Sequence, residues 1–143
     1  MARELDLGVA CWQPLGASLL TGDKEEVRLR TGTPSLNKPS EKEMGIAGKV
    51  ADIAREIGCS PAQVALNWIR QKESTVVPVV GARKVEHIKD NLGCLDFALT
   101  VEQMRLLNEA SETPLGFPHE ALAKITNSIY SGLLDKIDNH RRR

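Results

Sequence analysis

Between Thr75 and Asn91 the sequence reads TVVPVVGARKVEHIKDN, and these residue types suit phosphate binding. Gly81 lets the backbone turn and come close to a ligand. Arg83 and Lys84 follow, putting two cations at the start of a segment in which Val85, Ile88, Leu92 and Leu95 recur at helical spacing. A helix N-terminus flanked by arginine and lysine favours an anion, because unpaired N–H groups and side-chain charge act in the same direction. An ordinary strand-to-helix connection with solvated cations has the same composition, so the segment alone leaves both readings open.

The elements that must hold this corner follow from periodicity. Val76, Val77, Val79 and Val80 are too uniformly apolar for a half-exposed strand and predict a parallel strand covered on both faces. Pro78 argues against a fully laddered central position. Leu7 to Trp12 predicts a first buried strand, preceded by the end of a helix at Ala2 to Leu5. Between the two strands, Ile46, Val50, Ile53, Ala54 and Ile57 form the stripe of an amphipathic helix that Gly58 ends. Ser60-Pro61-Ala62-Gln63 opens another, with serine at the cap, proline at the first helical position and glutamine reaching back. Its body, Val64 to Ile69, is apolar nearly all round and should be buried. Thr100 to Gln103 repeats the capping logic, with Val101, Met104, Leu107 and Ala110 turned inward, and a last helix near His119 should pack through Leu122, Ile125, Ile129 and Leu133. Strands separated by helical crossovers pair in parallel. Two such strands leave apolar edges without partners.

Composition places the chain among globular proteins of one domain spanning 1–143, with a mobile surface loop at 23–40 and a disordered tail at 136–143. Lysine plus arginine equals aspartate plus glutamate at 19 each, so charge gives no reason to expect nucleic acid or an anionic membrane as partner. No stretch approaches the roughly 20 apolar residues of a membrane span, and no signal-peptide pattern opens the chain; a cytoplasmic location is expected. Cys11, Cys59 and Cys94 form neither a CxxC pair nor a disulfide framework, which predicts buried thiols and no metal site.

Five segments in fixed order, QPLGASLLTGD, SPAQVALNWI, VVPVVGARKVEHIKDN, LDFALTVEQMRLLNEAS and PLGFPHE, resemble the C-terminal part of an aldo-keto reductase. The resemblance implies an α/β fold: a partial (β/α)8 TIM barrel in which this chain supplies the last two β/α units, two parallel strands with about five helices; the unpartnered strand edges lead to the expectation that self-association completes it. It implies hydride transfer between NADP(H) and a carbonyl as the family's chemistry. The tyrosine, aspartate, lysine and histidine of that chemistry belong to earlier strands, so no catalytic residue is expected here, and Tyr130, the chain's single tyrosine, should be a helix-surface residue.

The cofactor half of the resemblance carries over by position. Gly81, Ala82, Arg83, Lys84, His87, Asp90 and Asn91 correspond to residues lining the adenosine end of NADP(H), with Arg83 suited to the 2′-phosphate and Asn91 to the adenine edge. Pro14, Leu15, Gly16, Leu20, Thr21 and Gly22 correspond to a loop that folds over the pyrophosphate. Gln13, Ser18 and Asp23 depart from that loop, and Asp23 would repel a pyrophosphate unless Lys24 takes over. The function expected is an oxidoreductase fragment keeping part of its NADP(H) site and inactive alone. The alternatives are a binding module for NADP(H) or another phosphorylated ligand, and one half of a split reductase whose partner chain carries the N-terminal barrel units. Exposed strand edges lead to the expectation of a homodimer or higher oligomer.

Overall fold

The computed structural model describes residues 2, 5–22, 39–72, 75–129, 131–133 and 136. Of the expected loop only Pro39 and Ser40 fall within that range, and of the expected tail only Lys136; Asp23, Lys24 and Tyr130 lie outside it. Among the described residues the order is β1 (Val9–Cys11), a 3-10 turn (Leu19–Thr21), α1 (Glu41–Ile57), α2 (Pro61–Arg70), β2 (Val76–Pro78), α3 (Val85–Leu92), a second 3-10 turn (Gly93–Leu95), α4 (Val101–Ser111) and α5 (His119–Ile129). The fold is thus α/β with two parallel strands and five helices. The chain divides into two compact units, 1–111 and 112–143, the second carrying α5. No described helix is long and apolar enough to cross a membrane.

Local chemistry sets the helix starts. Ser40 and Glu43 form a reciprocal capping box at α1, the serine hydroxyl accepting from the Glu43 N–H at 3.2 Å and the carboxylate accepting from the Ser40 N–H at 2.7 Å. Those bonds favour the ionised form and hold the Glu43 carboxyl below its usual range. Thr100 and Gln103 make the same exchange at α4. Ser60 caps α2, with Pro61 in the first turn.

The core of the first unit is helical. Val50, Ile53 and Ala54 of α1, Val64 and Ala65 of α2, Leu107 of α4 and Leu99 just before it form one buried cluster. α2 lies deepest, with Val64, Ala65, Leu66 and Asn67 at 1% exposure or less. The expected all-round burial of this helix and the inward stripe of α1 are both present.

A polar stripe runs along α2 at four-residue spacing and ties down the chain that follows β2. Gln63 Nε2 donates to the Asp90 carbonyl at 2.7 Å. Asn67 Nδ2 donates to the Phe97 carbonyl at 2.7 Å. Gln71 takes both backbone groups of Leu99, accepting from its N–H at 2.7 Å and donating to its carbonyl at 3.2 Å. Residues four apart on a helix share a face, so one side of α2 supplies hydrogen bonds to backbone groups of the stretch from Asp90 to Leu99. At the rim, Lys72 Nζ sits 3.9 Å from the Trp68 ring centroid, and Asn108 Oδ1 accepts from both the Lys72 ammonium and the Trp68 indole N–H.

β1 and β2 pair in parallel with Val9 opposite Val76, Ala10 opposite Val77 and Cys11 opposite Pro78. The Val9 N–H donates to the Thr75 carbonyl and the Val79 N–H to the Cys11 carbonyl, both at 2.9 Å. Successive residues of a strand point their amides to opposite edges, so Pro78 falls on the outer edge of β2 and its missing N–H costs the pair nothing.

Burial departs from the periodicity-based reading in four places. The strands are not covered on both faces: Val77 is 57% and Trp12 76% exposed, with Val9, Val79 and Val80 exposed too. Val85, Ile88, Leu92 and Leu95 were expected to pack and are all exposed. Val101 does not turn inward; it is 89% exposed. Leu122, Ile125 and Ile129 of α5, and Leu133 beyond its end, are exposed as well. The physical reason for the strand and α3 departures is that α2 covers one face of a two-stranded sheet, while an apolar run of this kind is built for cover on both sides. Of the cysteines, all free, Cys94 is buried and Cys11 and Cys59 are half-buried.

Because Gln71 alone satisfies both backbone groups of the buried Leu99, Gln71→Ala should cost about 2 kcal/mol in urea unfolding. Arg105→Ala, which removes exposed ion pairs to Glu102 and Glu109, should leave the urea midpoint essentially unchanged in the same measurement.

Candidate functional site

The corner after β2 opens with Gly81, Ala82, Arg83 and Lys84, all exposed, leading into α3. Lys84 is the N-cap of α3, in extended conformation and with no side-chain cap bond. A lysine side chain has no acceptor for the first N–H groups of the helix, so the N-cap leaves them without a side-chain cap. His87 is half-buried one turn on.

The last turn of α3 is built differently. Asn91 is buried at 8% exposure, and among the described residues no protein group hydrogen-bonds its side-chain amide. Among the described residues no fully buried side-chain nitrogen or oxygen lacks a partner, so the amide atoms retain some solvent access. Asp90, beside it, is held firmly. Ser60 Oγ donates to Asp90 Oδ2 at 2.7 Å, and Gln63 Nε2 donates to Oδ1 at 3.0 Å as well as to the Asp90 carbonyl. The expectation that Gln63 reaches back to its own N-cap is therefore corrected: the serine half of the capping box forms, and the glutamine amide is used on α3 instead.

The first loop arrives at the same helix start. Pro14 is buried, and Leu15 and Leu20 pack against the core cluster. Thr21 Oγ1 donates to the Ser18 carbonyl at 2.8 Å, closing the 3-10 turn. Gly22 ends it with φ of 77°, and a Cβ at that position would stand 3.1 Å from Pro61 Cγ. Gly16 also has positive φ and is exposed. The two segments singled out in the sequence thus converge on the N-terminus of α2, Gly22 against Pro61 and Asp90 against Ser60 and Gln63. Periodicity and motif reading had treated Ser60 and Gln63 as capping residues only. A glutamine three positions after a capping serine was the available signal, and its real partner lies 27 residues further along the chain.

Cys59 adjoins this hub. Its own burial and the negative charge of Asp90 push its thiol above the usual range. Among the described residues no group of three or more histidine, cysteine, aspartate or glutamate side chains is placed to hold a metal ion.

Comparison with known proteins gives this arrangement its context. The Aldo/keto reductase family matches the chain over residues 1–112. The chain belongs to that family. It is 34% identical over 122 residues to the uncharacterized oxidoreductase YrpG of Bacillus subtilis, covering 85% of this chain and 37% of that protein. It is 35% identical over 122 residues to the aryl-alcohol dehydrogenase [NADP(+)] of Phanerodontia chrysosporium, covering 79% of this chain and 32% of that enzyme. A third relative, YFL057C of Saccharomyces cerevisiae, is 31% identical over 125 residues, with 82% of each chain covered. This aldo/keto reductase chain therefore spans about a third of the first two relatives and most of the third.

Gly22 carries a positive φ and almost touches Pro61, so Gly22→Ala should lower stability by about 1 kcal/mol or more in chemical denaturation. Gly45→Ala, in α1 with open space around its Cβ position, should raise it by a fraction of that.

Proposed function

We propose that this chain is the NADP(H)-binding end of an aldo/keto reductase barrel, holding part of the dinucleotide site without the groups that complete carbonyl reduction. The observation that carries this reading is the buried Asn91, whose amide has solvent access and no protein partner among the described residues, on the same short helix whose start presents Arg83 and Lys84. An amide that can donate and accept suits the edge of an adenine, and an arginine fork suits a 2′-phosphate. One relative named for NADP(+) supports that choice of dinucleotide. Gly81 and Ala82 would let the phosphate approach, and Pro14 to Gly22 would lie over the pyrophosphate.

NADP(H), when bound, supplies the hydride; a carbonyl also needs a proton at its oxygen. The chain's one tyrosine, Tyr130, lies beyond the residues matched by the family. Binding without turnover is therefore the activity proposed for the chain alone, and turnover on addition of a chain bearing the other barrel units would make it half of a split reductase.

A second reading concerns assembly, and the exposed Trp12, Val77, Val79 and Val85 favour it. These side chains flank a two-stranded sheet with two open edges, and a second copy of the chain laid over them would remove that apolar surface from water. Light scattering at several protein concentrations should show a dimer or larger species; a monomer that also melts in one sharp calorimetric transition would rule self-association out.

Calorimetric titration of NADP⁺ should show binding at about micromolar Kd, weakened about a hundredfold or more by Arg83→Ala. Absence of heat at high protein concentration would overturn the dinucleotide reading.

A further inference from the structure

Ser60, Gln63 and Gly93 form a built arrangement around Asp90 that capping does not account for. The Ser60 hydroxyl does two things at once, accepting from the Gln63 N–H at 3.2 Å as an N-cap and donating to Asp90 Oδ2 at 2.7 Å. The Gln63 amide splits its donors between the carboxylate and the backbone carbonyl of the same residue. That carbonyl belongs to the last turn of α3, where it also receives the backbone N–H of the C-cap Gly93, so the Gln63 amide adds a second donor to it. Room for the amide comes from Gly93: a Cβ there would stand 2.5 Å from Gln63 Nε2 and 3.0 Å from Cδ, closer than real contacts allow. Three residues from two separate segments are thus matched to the orientation of one turn, and the residue next to Asp90 in that turn is Asn91, a buried residue whose amide keeps some solvent access and has no protein hydrogen-bond partner among the described residues.

We infer that Ser60 and Gln63 are positioning residues for a nucleobase contact by Asn91, and that Asp90 serves as their handle rather than as a group that touches the ligand. The inference rests on the dinucleotide reading above and deepens it by saying how base recognition is held in place. One oxygen of the Asp90 carboxylate is bonded by Ser60 and the other by Gln63, so its side chain is turned toward α2. Clamping side chain and carbonyl together removes both translation and rotation of the turn, which is what a two-point amide contact to a base requires. An asparagine amide can accept from the adenine N6 amine while donating to N7. Hypoxanthine carries a carbonyl in place of that amine, so both positions are acceptors and the amide can satisfy only one of them.

The test is titration of NADP⁺ and of its hypoxanthine analogue into the wild-type chain, Gln63→Ala, Ser60→Ala and Ser60→Thr. Wild type should prefer the adenine form by about tenfold. Gln63→Ala and Ser60→Ala should weaken NADP⁺ while bringing the two ligands within about twofold of each other, and Ser60→Thr, which keeps the hydroxyl, should retain the preference. A residue that merely held two helices together would lower both affinities in parallel and leave their ratio alone. A fold check by circular dichroism accompanies each variant, and Gly93→Ala, which displaces the Gln63 amide without removing it, serves as the substitute if Gln63→Ala does not fold. An unchanged ratio in folded Gln63→Ala or Gly93→Ala overturns the positioning role and leaves the dinucleotide site standing. No binding of either ligand by the wild-type chain overturns both.

Discussion

Burial of α2 along most of its length is the constraint on which the first unit depends. A ten-residue helix with Val64, Ala65, Leu66 and Asn67 sealed from water must have neighbours on every side. α1 and α4 provide the apolar ones, and β2 with the segment after α3 provides the rest. Burial of that kind is worth roughly 1.5–3 kcal/mol for each large aliphatic side chain, which is why two short strands can be held in place by helices rather than by a sheet.

A helix buried on all sides also has to account for its polar residues. Gln63, Asn67 and Gln71 sit one turn apart, and each finds backbone groups on the stretch from Asp90 to Leu99. The arrangement works in both directions: the side chains escape an unpaired burial, and a segment with little regular structure gets its hydrogen bonds. The start of the helix extends this logic to the candidate site. Pro61 receives the first loop at Gly22, and Ser60 and Gln63 receive the end of α3. Two parts of a prospective dinucleotide site, some 60 residues apart in sequence, are thereby referred to one rigid point.

Much of the fold is legible in the sequence because local rules decide it. The stripe of Val50, Ile53 and Ala54, the caps at Ser60 and Thr100, and the parallel pairing of two strands across a helical crossover all follow from spacing and residue type. The corner from Gly81 to Asn91 is legible for the same reason, since glycine, arginine and lysine before an amphipathic helix have direct physical meanings. Illegible are the destinations of the glutamines. Gln63 has the offset of a capping box, but the carboxylate and carbonyl of Asp90 on another helix compete for its amide and win, because one donor group reaches a charged acceptor and a carbonyl with a spare lone pair at once.

The apolar residues of both strands and of α3 show where sequence and tertiary structure part. Sequence alone determines that Val77, Val79, Val85, Ile88 and Leu92 are apolar and that their pattern leaves no polar face on the strand, which is the composition of a strand built for cover. Only the tertiary structure decides which of them this chain covers by itself, and it leaves all five exposed. The physical reason is that hydrophobicity is a property of a side chain, whereas burial needs a second surface, and in this chain α2 supplies one to a single face of the sheet.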